Sequence, residues 1–201
     1  MKLYFSTGAC SLSPRIVLME AGIPFTDEKV DLKSKKTASG ADFFSINSKG
    51  AVPALELDNG QVLTEGTAVV QYLADLRPDS GLAPRAGSFE RYRLMEILNF
   101  IASEMHKGFS PLFKADTSAD VRKSAVDALG KKFDWLSAHF AGKKFLMGET
   151  FTVADAYLFT VLRWSGLVHV DLAQWPVLAA YVARVGERPK VKEALHAEGL
   201  K

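Results

Sequence analysis

The sequence predicts an α/β unit of about 80 residues followed by an all-helical unit of about 115. Three observations carry that division. Strand-like and helix-like runs alternate over residues 1–80, and Asp58-Asn59-Gly60 gives a hairpin signal near the end of that stretch. Residues 77–87 hold two prolines and two glycines and read as a linker, after which strand signals vanish and residues 88–201 read as helices.

Leu3 to Ser6 reads as a first strand and Pro14 to Ala21 as a helix begun by Ser11 or Ser13, with Pro14 in the first turn, where its missing N–H costs nothing. Gly22 ends that helix, and Phe25 to Leu32 reads as a second strand. A polar, lysine-containing stretch, Lys33 to Gly40, precedes an ambiguous segment around Phe43 to Ile46. Val52 to Leu57 and Gln61 to Leu63 flank the hairpin turn, and a helix runs from about Glu65 to Leu76. The expected order is β-α-β-α-β-β-α. Helices are then expected over Ser88 to Lys114, Ala119 to Phe140, Thr152 to Gly166, Gln174 to Arg184 and Pro189 to Ala197.

The helix after Phe151 is apolar on every side, which places it in the interior. Thr152-Val153-Ala154-Asp155 has capping-box spacing, so Thr152 and Asp155 are expected to close its N-terminus in a structural role, with Asp155 buried.

Bulk composition bounds function. The 201 residues are 48% hydrophobic and 24% charged, with a formal net charge of +2, too mild a basicity for a nucleic-acid binder. The single cysteine, Cys10, excludes an internal disulfide and a multi-cysteine metal site and points to a reducing compartment. No His, Asp or Glu spacing resembles a zinc site, and no glycine-rich phosphate loop is present. The apolar start is too short for a signal peptide, and no run reaches the roughly 18 apolar residues that span a bilayer. A cytoplasmic protein without membrane or metal partners is expected.

Several positions could carry chemistry. Cys10 lies between the first strand and first helix, where open N–H groups and the helix dipole favour thiolate over thiol. Cys10-Ser11-Leu12-Ser13 has Cys-x-x-Cys spacing with serine in second place, so any disulfide of Cys10 must be with an external thiol. Val52-Pro53 starts a strand, where a cis bond is allowed. Thr64-Glu65-Gly66-Thr67 opens a helix and suits a ligand bearing both ammonium and carboxylate, or else merely offsets the dipole. Lys33, Lys35 and Lys36 form a basic run, either a solvated loop or a carboxylate contact. His106 sits beside Lys107 and near Phe109 and Phe113, whereas His139, His169 and His196 read as surface residues.

Taken together, the Gly8-Ala9-Cys10-Ser11 start, Val52-Pro53-Ala54-Leu55, Leu63-Thr64-Glu65-Gly66, the run from Ser103 to Phe109 and the run from Phe151 to Phe159 resemble the glutathione S-transferases, and specifically their bacterial beta class. The resemblance implies a thioredoxin-like N-terminal domain, an all-α C-terminal domain, and a homodimer using glutathione as co-substrate. It implies that Glu65 and Gly66 hold the γ-glutamyl head, that Val52, ahead of a cis Pro53, pairs with the cysteinyl backbone, and that Lys35 meets the glycine carboxylate. Cys10, with Ser11 beside it, would lie at the glutathione sulfur. Asn99, Ser103 and Glu104 would approach from the partner subunit, with His106 and Lys107 bordering the electrophile. The family often has tyrosine at Phe5 and serine at Gly66.

The activity so implied is attack by the glutathione thiolate on a hydrophobic electrophile lined by Phe109, Phe113 and Trp164, with dehalogenation among the outcomes. Cys10 and His106 are the expected catalytic residues. Two alternatives stay open: glutathione-dependent thiol–disulfide exchange or peroxide reduction through a Cys10 mixed disulfide, and a non-catalytic ligand-binding or protein-interaction module.

Overall fold

The computed structural model describes residues 1–200. By contact the chain forms two compact units, one of Met1–Ala83 with the residues from Arg188 onward, the other Pro84–Glu187. The last helix, counted with the helical part from sequence, thus packs in the first unit.

In the first unit, β1 (Lys2–Phe5) and β2 (Thr26–Asp31) are parallel, with Lys2 opposite Thr26. A parallel pair needs a crossover, which α1 (Leu12–Glu20) supplies. Helix α1 closes in a Schellman motif: Gly22 takes φ +62°, Ile23 N–H reaches Leu18 O at 2.9 Å, and Gly22 N–H reaches Met19 O at 3.2 Å.

Two expectations are corrected after β2. Lys36–Thr37 is not loop but a short edge strand, β3, paired antiparallel with Val30 and Asp31. Lys35 makes the turn possible by adopting φ +57°, while the Asp31 carboxylate accepts from the Lys33 and Ser34 N–H groups. The expected second helix is a single 3₁₀ turn, Phe43–Ser45, capped by Asp42. Gly40 and Gly50, both at positive φ, bound a segment too short to propagate an α-helix.

The hairpin forms as expected. β4 (Ala54–Glu56) pairs antiparallel with β1 and with β5 (Val62–Thr64), giving the order β3-β2-β1-β4-β5. In its turn only Gly60 takes positive φ, with its N–H on Leu57 O. Alternation then sorts the faces: Tyr4, Val30, Val52 and Ala54 pack with Phe43 on one, and Leu3 pairs with Leu55 one register position away. Helix α2 (Gly66–Asp75) follows, and both α2 and α8 (Pro189–Ala197) pack on α1.

The second unit is helical. Helix α3 (Phe89–Phe100), capped by Ser88, passes without a break into a π turn (Ile101–His106), a short α4 (Lys107–Phe109) and a 3₁₀ turn (Ser110–Phe113). One uniform helix was expected there. Helix α5 (Ala119–His139) is capped by Ser118, and α7 (Pro176–Gly186) begins on a proline. Helix α6 (Val153–Leu167) is buried over nearly its whole length. Among the described residues no helix is long and apolar enough to cross a membrane.

The capping box at Thr152 and Asp155 is present. Asp155 is fully buried and accepts from Leu146 N–H and Thr152 N–H, both at 2.8 Å, from Thr152 Oγ1 at 2.9 Å and from the Tyr181 hydroxyl at 3.1 Å. Burial raises its pKa, against which these four donors act. Asp155→Ala would strand the Leu146 N–H, the Thr152 N–H and the Thr152 hydroxyl in the core, while the Tyr181 hydroxyl keeps the residue 155 carbonyl at 3.2 Å. We expect a loss of about 3 kcal/mol or more in urea denaturation, well beyond the loss of a surface cap.

Candidate functional site

The loop from Ser6 to Ser11 presents Cys10. Ser11 Oγ lies 3.1 Å from Ser6 N and donates to Ser6 O, which cinches the loop from inside. Ser11 is fully buried, so its hydroxyl shapes the loop rather than greeting a ligand. Gly8 takes φ +70°, and its N–H donates to Glu198 Oε2 at 2.8 Å. Glu198 also accepts from Arg15 Nε at 3.0 Å, and Arg15 pairs with Asp27 through its other arm. The Arg15 guanidinium lies 4.3 Å over the Phe5 ring, which gives Phe5 a packing role at the position where a phenol was the family expectation. Burial raises the Glu198 pKa, opposed by the Gly8 N–H and by Arg15.

The start of α1 differs from expectation. Leu12 N–H is taken by Ala9 O, Ser13 N–H by Cys10 O, and Pro14 has none. Two of the first N–H groups are therefore engaged, while that of Ser11 has no acceptor among the described residues. Cys10 Sγ instead lies 3.2 Å from the Val52 carbonyl, a bond that a thiol donates and a thiolate cannot.

The start of α2 behaves the other way. Glu65 sits at φ +67°, ψ +112°, outside the ordinary wells for a non-glycine residue, and its carbonyl accepts from Ala68 and Val69. Among the described residues nothing accepts from the N–H groups of Gly66 and Thr67. Open N–H groups at a helix N-terminus favour an anion there. The Glu65 carboxylate pairs with Lys49 Nζ at 2.6 Å, and Lys49 also donates to Thr64 Oγ1 at 2.9 Å. A Cβ on Gly66 would meet Pro53 at an ordinary 3.9 Å, so space alone does not demand glycine there.

These pieces are contiguous. Cys10 touches Val52, Val52-Pro53 is cis, Pro53 adjoins Gly66, and Glu65 holds Lys49. Lys35 Nζ donates to Gly50 O at 2.7 Å at the same loop. Sequence reading missed Lys49, Arg15 and Glu198, because a loop lysine and a terminal glutamate carry no local signal of what they meet.

The second unit holds the other candidates. Asn99, Ser103, Glu104 and Lys107 are exposed along α3, the π turn and the start of α4. Ser103 Oγ donates to Asn99 O, and Glu104 pairs with Lys132 at 3.0 Å. His106 is half-buried, its Nδ1 2.8 Å from the Tyr157 hydroxyl and its ring against Trp164 at 4.7 Å. Burial, with the neighbouring Lys107 charge, pulls its pKa down to about 4. Phe109, expected to line the electrophile pocket, is fully buried between Phe133 and Trp164 and is core. Phe113 is 51% exposed, edge-on to Trp164. His139, read as a surface residue, is half-buried, stacked on Trp135 and bonded to Leu146 O. Among the described residues no cluster of three or more His, Cys, Asp or Glu could hold a metal.

Known proteins resemble this chain over its whole length. A family model described as "Glutathione S-transferase, N-terminal domain" matches residues 7–76, and one described as "Glutathione S-transferase, C-terminal domain" matches residues 100–189. Glutathione S-transferase GstA of Escherichia coli O157:H7 is 47% identical over the full length of both chains. The solved structure of a ternary complex of BphK, a bacterial transferase, superposes with a TM-score of 0.98 at 52% identity over all of both chains. A sphingomonad transferase complexed with glutathione and the bacterial beta-class enzyme of Sphingomonas chungbukensis each give a TM-score of 0.96 at 46% identity, again over all of both chains. With both family domains matched in order and these likenesses end to end, the chain belongs to the glutathione S-transferase family, among the bacterial beta-class members.

Proposed function

We propose that this transferase activates glutathione and joins its sulfur to hydrophobic electrophiles, working as a homodimer. The observation that carries the reading is the start of α2: two open N–H groups and a strained Glu65, in one patch with Cys10 and the Val52-Pro53 backbone. A γ-glutamyl head has the matching charges, a carboxylate for Gly66 and Thr67 N–H and an ammonium for Glu65. Lys35 takes the glycine carboxylate and the Val52 backbone takes the cysteinyl peptide. The sphingomonad relative solved with glutathione supports the choice of tripeptide.

The glutathione thiolate attacks an electrophilic carbon. Where that carbon bears a halogen, a C–S bond forms as the carbon–halogen bond breaks, and halide departs with the electron pair. Rate comes from holding two reactants together. Phe113 and Trp164 supply an apolar wall, with His106 and Lys107 beside it. Homodimerisation is supported by the exposed stripe on α3, where Phe89 is 67% and Tyr92 59% exposed. On this reading Asn99, Ser103 and Glu104 serve the partner's ligand.

A second reading is favoured by Cys10 itself. Its thiolate attacks a glutathionylated disulfide, releasing the other thiolate and leaving a Cys10–glutathione disulfide. A second glutathione thiolate then frees Cys10 and departs as oxidised glutathione. A glutathione carrier without catalysis would bind immobilised glutathione yet show neither activity.

Three outcomes follow from these assignments. Cys10→Ala is expected to keep at least about a tenth of conjugation towards 1-chloro-2,4-dinitrobenzene while abolishing disulfide exchange; equal loss of both in folded protein would refute the division of labour. Glu65→Gln should weaken glutathione binding by roughly 10-fold or more in calorimetry, the scale of a lost charge-assisted hydrogen bond. Because burial lowers its pKa, His106 should stay neutral down to mildly acidic pH and protonate only as pH falls through about 4. An NMR titration should place its midpoint there, with no His106 inflection in conjugation rate between pH 5.5 and 7.5.

A further inference from the structure

The ring of His106 is fixed on one side and open on the other. Its Nδ1 lies 2.8 Å from the hydroxyl of Tyr157, a residue of α6 that is itself buried. Trp164, two turns further along α6, meets the imidazole edge-on at 76°, and Tyr157 meets it at 80°, so the ring plane is held by two aromatic neighbours. Nε2 has no hydrogen-bond partner among the described residues, and the residue is only half-buried. One nitrogen is thus committed inward and the other remains to be used.

Chemistry decides which nitrogen bears the proton. A neutral imidazole has one donor and one acceptor, and a phenol can play either part. A phenol O–H is a far better donor than an imidazole N–H, and an imidazole nitrogen is a far better acceptor than a phenol oxygen. The O–H to Nδ1 direction is therefore the stronger bond, and it sends the ring proton to Nε2. Burial and the adjacent Lys107 keep the ring neutral near pH 7, so the doubly protonated form does not blur the choice.

We propose that Tyr157 is a positioning residue for His106: its hydroxyl donates to Nδ1, holds the ring as the Nε2–H tautomer, and so presents one neutral, aimed donor to the negative charge that develops on the electrophile. This rests on the transferase reading above for the identity of the acceptor. A neutral donor suits the task because it stabilises charge that appears only as the bond forms, without tightly binding every anion beforehand.

The test is ¹⁵N NMR of the full-length protein labelled at histidine, with the His106 signals assigned by their loss in His106→Asn. The expected result in the wild type is a single neutral tautomer with the proton on Nε2. In Tyr157→Phe, which keeps the ring and its packing, the two tautomers should mix, and kcat for 1-chloro-2,4-dinitrobenzene should fall by roughly 3- to 10-fold, the loss of one well-placed hydrogen bond. The KM for glutathione should stay unchanged. A wild-type proton on Nδ1, an unaltered tautomer in Tyr157→Phe, or a kcat that ignores the change would overturn the proposal. Calorimetry with glutathione on the same samples separates the two ideas: no tripeptide binding sinks the transferase reading, whatever the imidazole spectrum shows.

Discussion

The geometry around Cys10 depends on a carboxylate from the other end of the chain. Glu198 has no exposed side-chain surface; one oxygen accepts from Gly8 N–H and the other from Arg15, whose guanidinium also serves Asp27 and rests on Phe5. One cation between two carboxylates is costly to bury: Glu198 is sealed from solvent, Asp27 is partly exposed, and Arg15 Nη2 is buried with no hydrogen-bond partner among the described residues. Removing Glu198 would leave Arg15 undercompensated and Gly8 N–H unsatisfied, in a loop whose φ at Gly8 is already set. The thiol therefore inherits its position from α8 as much as from its own neighbours, which is why the last helix belongs with the first unit.

The two helix starts in that unit have been put to opposite uses. At α1 two of the first backbone donors are consumed by a tight turn and a proline removes another, and the adjacent thiol leans on a carbonyl. At α2 the first donors stay open, and a strained residue stands before them. An anionic ligand is thus better received at α2 than at Cys10. This is consistent with a division in which the bound tripeptide's sulfur does the conjugating and Cys10 is kept for exchange.

Much of this was legible beforehand, and the reasons are local ones. Alternation and the Asn59-Gly60 turn marked the hairpin; Gly22 marked the end of α1; the Thr152 to Asp155 spacing marked the buried cap. What escaped notice depended on distant partners. Lys36–Thr37 looks like solvated loop because two residues carry no periodicity, and only Val30 and Asp31 across the sheet make them a strand. Lys49 and Glu198 are ordinary surface charges until the fold brings Glu65 and Arg15 to them. Phe109 shows the converse error. Proximity in sequence to His106 suggested a pocket wall, whereas its winding turned it into the core.

That winding has a further implication. From Ile101 to His106 the helix runs wide, so a residue is accommodated that a regular α-helix would have no room for. In a regular α-helix, deleting one residue turns everything after it by about 100°; here the deletion would let the wide turn close to an ordinary one, and the residues on either side would keep their facing. Phe109, beyond the turn, would keep its place between Phe133 and Trp164, and the change would fall on the residues inside the turn. Among related chains, the loss of one residue should thus be absorbed across this segment more readily than anywhere else along the same helix.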